Sequence, residues 1–268
     1  MSWMRENTLN CLQSCAVKVI KSGHVPRHVA FIMDGNRRYA SKKNYNSFIQ
    51  GHTEGFDKLA ETLQWCLDLG VKEVTVYAFS IENFKRSKEE VDELMTLAEN
   101  KFQKLLDERE KLMEHGVRIC VIGNLTLIPE NVRKLMDEAV LITKDNSKAL
   151  LNVAFAYTSR DEIVETIKVM AEKVSSSQVL PDDIDEKLFS EHMYTRQSSD
   201  PDLIIRTSGE VRFSDFLLWQ FSYSYIYFSK SFWPEFNIWD FLTAIFYYQR
   251  NADELQRLRC YGETENKV

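Results

Sequence analysis

Little in this sequence gives a functional answer by itself. Its five cysteines, Cys11, Cys15, Cys66, Cys120 and Cys260, form no C-x-x-C pair. An odd, scattered set reads as reduced thiols facing a cytosol, not as a disulfide framework. The five histidines are equally dispersed and lack the spacing of metal ligands. No apolar run approaches the roughly 18 residues that a membrane-spanning helix needs. The first residues carry Arg5 and Glu6, then Lys18 and Lys21, with no long apolar core or small-residue cleavage site, so they do not read as a signal peptide. Basic charge is not in excess either. The net charge of −6 removes any whole-molecule attraction for nucleic acid. An anionic ligand must be held by local basic clusters acting against the overall field. A G-x-x-x-x-G-K loop and a glycine-rich dinucleotide loop are both missing, which argues against an ordinary nucleotide-binding enzyme.

What is present is a globular composition, 44% hydrophobic and 28% charged over 268 residues. Such a chain can bury a sizeable core without disulfides or structural metals. Short β-branched or aromatic runs at 29–33, 74–79, 117–122, 150–157, 203–205 and 225–228 alternate with longer helical patterns. Most of these runs are almost continuously apolar, as strands covered on both faces are. Between the first two, Phe56, Leu59, Leu63, Cys66 and Leu67 share one side of a helix that Gly70 stops. Ser87 and Glu90 read as a capping box that opens one long helix. Its Val91, Leu94, Ala98, Phe102, Leu105 and Leu112 keep three-and-four spacing as far as Gly116. Pro129 starts another helix, and Ser159 with Glu162 caps a further one.

Strand–helix alternation implies right-handed β-α-β units. The expected fold class is therefore α/β, a single domain with a central, mostly parallel sheet flanked by helices. The only linker-like stretch, 175–181, is too short to divide it. Residues 1–22 read as an amphipathic amino-terminal helix, with Trp3, Leu12, Cys15, Ala16, Val19 and Ile20 on one side. It either docks on its own protein or lies at a membrane surface, where Cys11 and Cys15 would be open to acylation. The body spans 23–258, and 259–268 form a carboxyl-terminal tail.

The chemistry gathers where strands end, which is where ligands collect in a parallel sheet. The first strand runs into Asp34, Gly35, Asn36, Arg37 and Arg38. Gly35 allows close backbone approach, the next helix offers free amides to an anion, and the arginines add forked donors for phosphate oxygens. Asp34, alone negative among them, suits a hard cation such as Mg²⁺ bridging to a diphosphate. An Asp–Arg pair after a strand is also common on plain surfaces, so this segment leaves both readings open. The second strand ends in Asn83 and Arg86 before the Ser87 cap. A cap needs the serine but neither of the other two. A third cluster, Arg206, Ser208, Gly209, Arg212 and Ser214, follows a short apolar strand and would form a concave site for a second diphosphate. Three such strand ends in one fold are hard to explain as solvated charge.

These segments resemble the cis-prenyltransferase (undecaprenyl diphosphate synthase-like) family, and most of all its eukaryotic members that make dehydrodolichyl diphosphate. The resemblance is carried by DGNRR at 34–38, Gly51-His52, SIENFKRS at 80–87, IRTSGEVRFS at 205–214 and DFLLWQ at 215–220, in family order over about 25–240. It implies a catalytic domain with a hydrophobic tunnel for a growing prenyl chain, walled by the helices after the first two strands. It implies that farnesyl diphosphate is lengthened with isopentenyl diphosphate in the presence of Mg²⁺, giving a long polyprenyl diphosphate for dolichol and protein glycosylation. By the same resemblance, Asp34 holds the metal, and Gly35, Asn36, Arg37, Arg38 and Arg86 cradle the allylic diphosphate. Arg206, Arg212 and Ser214 bind isopentenyl diphosphate, Asn83 helps proton removal, and His52 lies near the leaving diphosphate.

Three departures stand out. Phe48 occupies a place where many members have arginine. Tyr225 stands where single-subunit bacterial members have glutamate. Arg259 and Gly262 miss by one position the terminal Arg-x-Gly of self-sufficient members. The missing contact is then expected from an accessory subunit of the Nogo-B receptor type. That places the chain as a peripheral protein on the cytosolic face of the endoplasmic reticulum membrane. The aromatic stretch 221–236, with Tyr223, Tyr225, Tyr227 and Trp233, is expected at core or subunit contacts. A competing reading is a catalytically silent subunit that binds lipid or a partner. The departures fit it, but retention of Asp34, Arg38, Asn83, Arg206, Arg212 and Ser214 argues for chemistry.

Overall fold

All six expected strands form, and every pairing between them is parallel. The structure, a computed structural model, describes residues 9–265. The strands are β1 (His28–Ile32), β2 (Glu73–Ser80), β3 (Val117–Ile122), β4 (Ala149–Tyr157), β5 (Leu203–Arg206) and β6 (Tyr225–Phe228). They lie in the order β3-β4-β2-β1-β5-β6. The helices are α1 (Cys11–Lys21), α2 (Asn36–Lys42), α3 (Phe48–Leu69), α4 (Lys88–Asp107), α5 (Arg109–His115), α6 (Glu130–Thr143), α7 (Ser159–Ser175), α8 (Glu186–Ser190) and α9 (Ile238–Glu265).

The sheet is covered on both faces, which is why its central strands read as unbroken apolar runs. One face presents Phe31, Val76, Val153 and Ile205 to α3, α4, α6 and α9. The other presents Ala30, Tyr77, Ala154 and Ile204 to Phe216 and Leu217. Lower on that second face, three buried polar side chains hydrogen-bond across the strands. His28 Nε2 is 2.8 Å from Thr75 Oγ1, and Asn152 Nδ2 donates to Thr75 Oγ1 at 3.1 Å and to Ser198 Oγ at 2.6 Å.

Several sequence expectations need correction. The long helix after β2 breaks at Glu108 (φ −96°, ψ 24°) into α4 and α5. Ser87 does cap α4, accepting from Glu90 N, but the Glu90 carboxylate turns elsewhere, as described below. The cap of α7 is Thr158, which accepts from Asp161 N. Ser159 is the first helical residue, and its Oγ accepts from Leu218 N. Glu162 is fully buried and hydrogen-bonded to Tyr157, Thr195 and Gln220, and burial raises its pKa. Helix α9 runs without interruption past 259 to Glu265, so residues 259–265 of the expected tail continue a helix, and 266–268 lie outside the described residues. Trp233 and Phe236 are buried core residues, whereas Tyr225 and Tyr227 are half-buried on the edge strand β6.

The amino-terminal helix docks on its own protein through Val17, with Lys21 Nζ donating to Asp68 O and Gln249 Nε2 to Ile20 O. Its other side leaves Leu12 and Val19 69% and 71% exposed, beside exposed Cys11 and Cys15. Trp3 lies outside the described residues. Among the described residues, no helix is long and apolar enough to cross a membrane.

Helix α2 is clamped against α3 by two glycines. A Cβ on Gly51 would collide with the Asn36 carbonyl oxygen, and one on Gly55 with Asn36 Oδ1. Gly51→Ala is expected to lower stability by about 1–3 kcal/mol through overpacking against backbone. Urea unfolding measures this, and an unchanged midpoint would show that the two helices are free to separate.

Candidate active site

Because β2, β1 and β5 are neighbours, the three residue clusters that follow them meet at one sheet edge. Asp34, just beyond β1, is fixed there by its backbone. Its N–H donates to Thr207 Oγ1 at 2.9 Å, and its carbonyl accepts from Thr207 Oγ1 at 2.8 Å and Trp233 N at 2.9 Å. Arg206, the last residue of β5, is 2% exposed and donates from Nη2 to Asp34 Oδ2 at 2.9 Å. Its Nη1 donates to Ser214 Oγ at 2.8 Å and to the carbonyl of Arg212.

The rest of the basic cluster is wired the same way, each carboxylate joining two arginines from different segments. Asp34 Oδ1 also faces Arg38 Nη2 at 3.5 Å. Glu210 pairs with Arg38 at 2.9 Å and with Arg212. Glu90 accepts from Arg86 at 2.8 Å and lies 3.5 Å from Arg37 Nε. The guanidinium planes rest on aromatic rings, Arg37 on Phe48 at 5.1 Å and Arg38 on Phe232 at 5.6 Å. Phe48, which stands where many members of the resembled family have arginine, thus supports an arginine here.

This edge opens into a cavity of about 860 Å³. Asp34, Asn36, His52, Asn83, Arg86, Arg206, Arg212 and Ser214 line it, and Gly35, Arg37 and Arg38 line the adjoining outer depression. The predicted site residues are therefore brought together. Deeper in, the lining turns apolar. Phe56 and Leu59 of α3 face Leu94, Leu97 and Phe102 of α4 across Val76 and Val153 of the sheet. These are the walls expected from the helix pattern.

Three polar atoms in the site are buried without a protein partner among the described residues, Asn36 Oδ1, His52 Nε2 and Arg206 Nε. Burial above all, then the nearby Arg86 and Arg37, pushes the His52 pKa down to about 4, against the pull of Glu90. The imidazole is neutral at pH 7 and offers one hydrogen bond. Asn83 has a structural task that the sequence did not suggest. Its Oδ1 accepts from Ser80 N at 3.0 Å, closing a reciprocal cap with Ser80 on the single turn after β2.

The loop after β5 holds backbone strain that the residue types conceal. Ser208, Ser214, Asp215 and Leu217 all have positive φ, of 84°, 51°, 59° and 49°. Non-glycine residues are driven there only when their surroundings over-determine them. Here Ser159 N donates to Asp215 O at 2.8 Å and Tyr77 OH to Ser214 O at 3.2 Å. At Gly35 (φ 100°) an added Cβ would also stand 2.8 Å from Phe232, so this glycine answers to its own fold as well as to a ligand. Residues missed from sequence include Glu210, Thr207, Phe232 and Trp233, whose Nε1 donates to Gly55 O at 2.7 Å. Glu210 lay inside the third cluster and its sign was the available signal.

No group of three or more His, Cys, Asp or Glu side chains that could cage a metal occurs among the described residues. Asp34, at a mouth lined by arginines, fits Mg²⁺ nonetheless, since that ion commonly takes one or two carboxylates and completes its shell with water and substrate phosphates. Arg259, by contrast, cannot serve this site. It pairs with Asp202 at 3.1 Å, at the opposite end of β5.

A family model described as putative undecaprenyl diphosphate synthase matches residues 32–256. The human dehydrodolichyl diphosphate synthase complex subunit is 51% identical over 267 residues, 100% of this chain and 80% of that protein. A tritrans,polycis-undecaprenyl-diphosphate synthase (geranylgeranyl-diphosphate specific) of Pyrococcus horikoshii is 47% identical over 241 residues, 90% of each chain. Among solved structures, lavandulyl diphosphate synthase from Lavandula x intermedia, in complex with dimethylallyl diphosphate, superposes with a TM-score of 0.80. It is 33% identical, over 84% of this chain and 95% of that one.

The depressed His52 pKa has a consequence for stability. The unfolded chain binds a proton on this residue below about pH 6.5 and the folded one only near 4, so stability rises with pH across that window. His52→Gln should remove a pH-dependent component of roughly 3 kcal/mol between pH 4 and 7. Parallel denaturation curves of the two proteins at each pH would contradict this.

Proposed function

The chain belongs to the undecaprenyl diphosphate synthase-like family of cis-prenyltransferases, and we propose that it condenses isopentenyl diphosphate onto farnesyl diphosphate and its elongated products. It is a prenyl transferase, and the product proposed is a dehydrodolichyl-type polyprenyl diphosphate feeding dolichol and protein glycosylation. The observation that carries this reading is a cavity with arginines at its mouth and hydrocarbon side chains in its depth, adjoined by an outer depression that adds Arg37 and Arg38.

In this reading Arg37, Arg38 and Arg86, with the Gly35–Asn36 backbone, hold the allylic diphosphate. Arg206, Arg212 and Ser214 hold that of isopentenyl diphosphate. Each arginine exchanges a carboxylate oxygen for a phosphate oxygen while keeping its orientation. Guanidinium groups already in place stabilise charge on the leaving diphosphate without reorganising. Bound at Asp34, Mg²⁺ would neutralise part of that charge. Neutral His52 adds a hydrogen bond beside it. Asn83 cannot itself take a proton at neutral pH, so it orients the group that does. The apolar depth excludes water from the developing allylic cation, and holding both substrates makes carbon–carbon bonding effectively intramolecular. A silent lipid-binding subunit has no use for this convergence of arginines on Asp34.

The human relative is named as a complex subunit. With Arg259 engaged elsewhere, we take the missing homoallylic contact to come from an accessory subunit of the Nogo-B receptor type. The edge strand β6, with Tyr223, Tyr225 and Tyr227 and the nearby exposed Phe246 and Tyr247 of α9, supports such a seat. Exposed Leu12 and Val19 on α1 support peripheral contact with the cytosolic face of the endoplasmic reticulum membrane.

Incubating the purified chain with both diphosphates and Mg²⁺, with and without the accessory subunit, tests the reading. Polyprenyl product is expected in at least one tube. No product in either, with farnesyl diphosphate still bound, turns the reading to the silent subunit. Asp34→Asn keeps an acceptor for Arg206 and removes the charge. It should cut turnover about a hundredfold or more in protein that still melts cooperatively, at a lower temperature than the wild type, and near-normal turnover would refute the role given to Asp34.

A further inference from the structure

One lysine lining the tunnel, Lys101, pairs with a carboxylate behind the lining, and the condensation chemistry has no use for either. On α4 the cavity-facing positions follow the helical repeat through Leu94, Leu97, Ala98 and Phe102, and Lys101 falls on the same face. Its side chain is 13% exposed and that of Asp57, on α3, 22%, with Nζ 3.8 Å from Asp57 Oδ1. The ammonium also lies 4.2 Å from the centre of the Phe56 ring. Burial lowers its pKa, and Asp57 opposes the shift. Withdrawing such a pair from water is costly, and apolar residues of similar volume often replace one without loss. Stability gives no reason for a lysine where the spacing calls for an apolar residue. Position does, because Lys101 reaches from one wall of the tunnel to the other.

Resting on the prenyl-elongation reading above, we infer that the Lys101–Asp57 pair is a clasp that determines product length by closing the seam between α3 and α4. A prenyl chain pushing sideways between the helices would have to lift the ammonium off Phe56 and leave Asp57 against hydrocarbon. The pair therefore turns the growing chain down the sheet, from Val76 and Val153 toward Val74 and Leu151. There a second, small apolar void of about 30 Å³ lies under Leu63 and Cys66. Elongation stops when that path is filled.

The test compares the full wild-type chain with Lys101→Met, the double variant Lys101→Met/Asp57→Asn, and Lys101→Arg. Each is assayed in whichever form, alone or with the accessory subunit, incorporates labelled isopentenyl diphosphate. Products are sized by chromatography at matched isopentenyl diphosphate consumption. Both Met variants should shift the distribution longer by at least one isoprene unit, because the seam opens, and Lys101→Arg should keep the wild-type distribution. An unchanged or shortened distribution in a Met variant that melts with the wild type overturns the clasp. The double variant leaves no lone carboxylate in the wall, so it keeps the test decisive if the single variant melts early. If wild type incorporates nothing in either form, the elongation reading fails first and the clasp with it. Incorporation without a length shift sinks the clasp alone.

Discussion

The contact between Asp34 and Arg206 holds this site in register. A guanidinium that is 2% exposed needs a charged partner, because an uncompensated buried charge costs several kcal/mol. Parallel pairing of β1 with β5 sets Arg206 opposite Ile32 and so within reach of the carboxylate two residues later. Arg206 Nη1 then fixes the loop, through Ser214 Oγ and the Arg212 carbonyl. Ser214, one of the strained serines of that loop, is thus tied to the sheet through Arg206 as well as through Tyr77. A one-residue slip of β5 would carry Arg206 to the other face and leave both loops unanchored.

Around that contact, repulsion between like charges is the main problem to be solved. Two unit charges 4 Å apart interact by about 4 kcal/mol at the effective dielectric of a protein surface. Arg37, Arg38, Arg86, Arg206 and Arg212 are gathered here in a chain whose net charge is −6. Alternation with Asp34, Glu90 and Glu210 turns that repulsion into a lattice, and the aromatic faces of Phe48 and Phe232 fix two of the planes. The cost of orienting the arginines is met during folding. A diphosphate entering the mouth meets donors already in position, which is how preorganisation raises affinity and lowers barriers.

How much of this could be read from the sequence follows from which signals are local. The strands were legible because both faces of the sheet are covered, and the tunnel walls because α3 and α4 keep their apolar stripes. The site was legible as three basic strand ends. The break at Glu108 was not, since no glycine or proline marks it. The cap of α7 was misplaced because Thr158 and Ser159 are adjacent and chemically alike, and only the backbone decides between them. Glu90 was assigned to a cap because the reach of its carboxylate to Arg37 on another helix leaves no trace in its neighbours. Positive φ at Ser208, Ser214, Asp215 and Leu217 has no compositional signature, because tertiary contacts impose it on residues that do not favour it.

Least legible of all is the way the sheet changes from tunnel floor to charged mouth within a few residues. A regular β2 would send Val76, Ala78 and Ser80 to one face and Tyr77 and Phe79 to the other. Instead its pairing with β4 shifts between Tyr77 and Phe79 and again between Phe79 and Ser80, and Ala156 on the partner strand has a φ of 48°. Phe79 thereby joins Val76 on the tunnel face, stacking on Phe155 at 5.2 Å, while Tyr77 keeps the opposite face against Phe216 at 4.5 Å. Irregular pairing of this kind re-aims side chains beside functional sites. Here it lets neighbouring residues of one strand build the last hydrocarbon layer of the tunnel and brace the loop of Ser214 through the Tyr77 hydroxyl. A regular sheet would need longer strands to do both, and the arginines would then stand further from the apolar channel they serve.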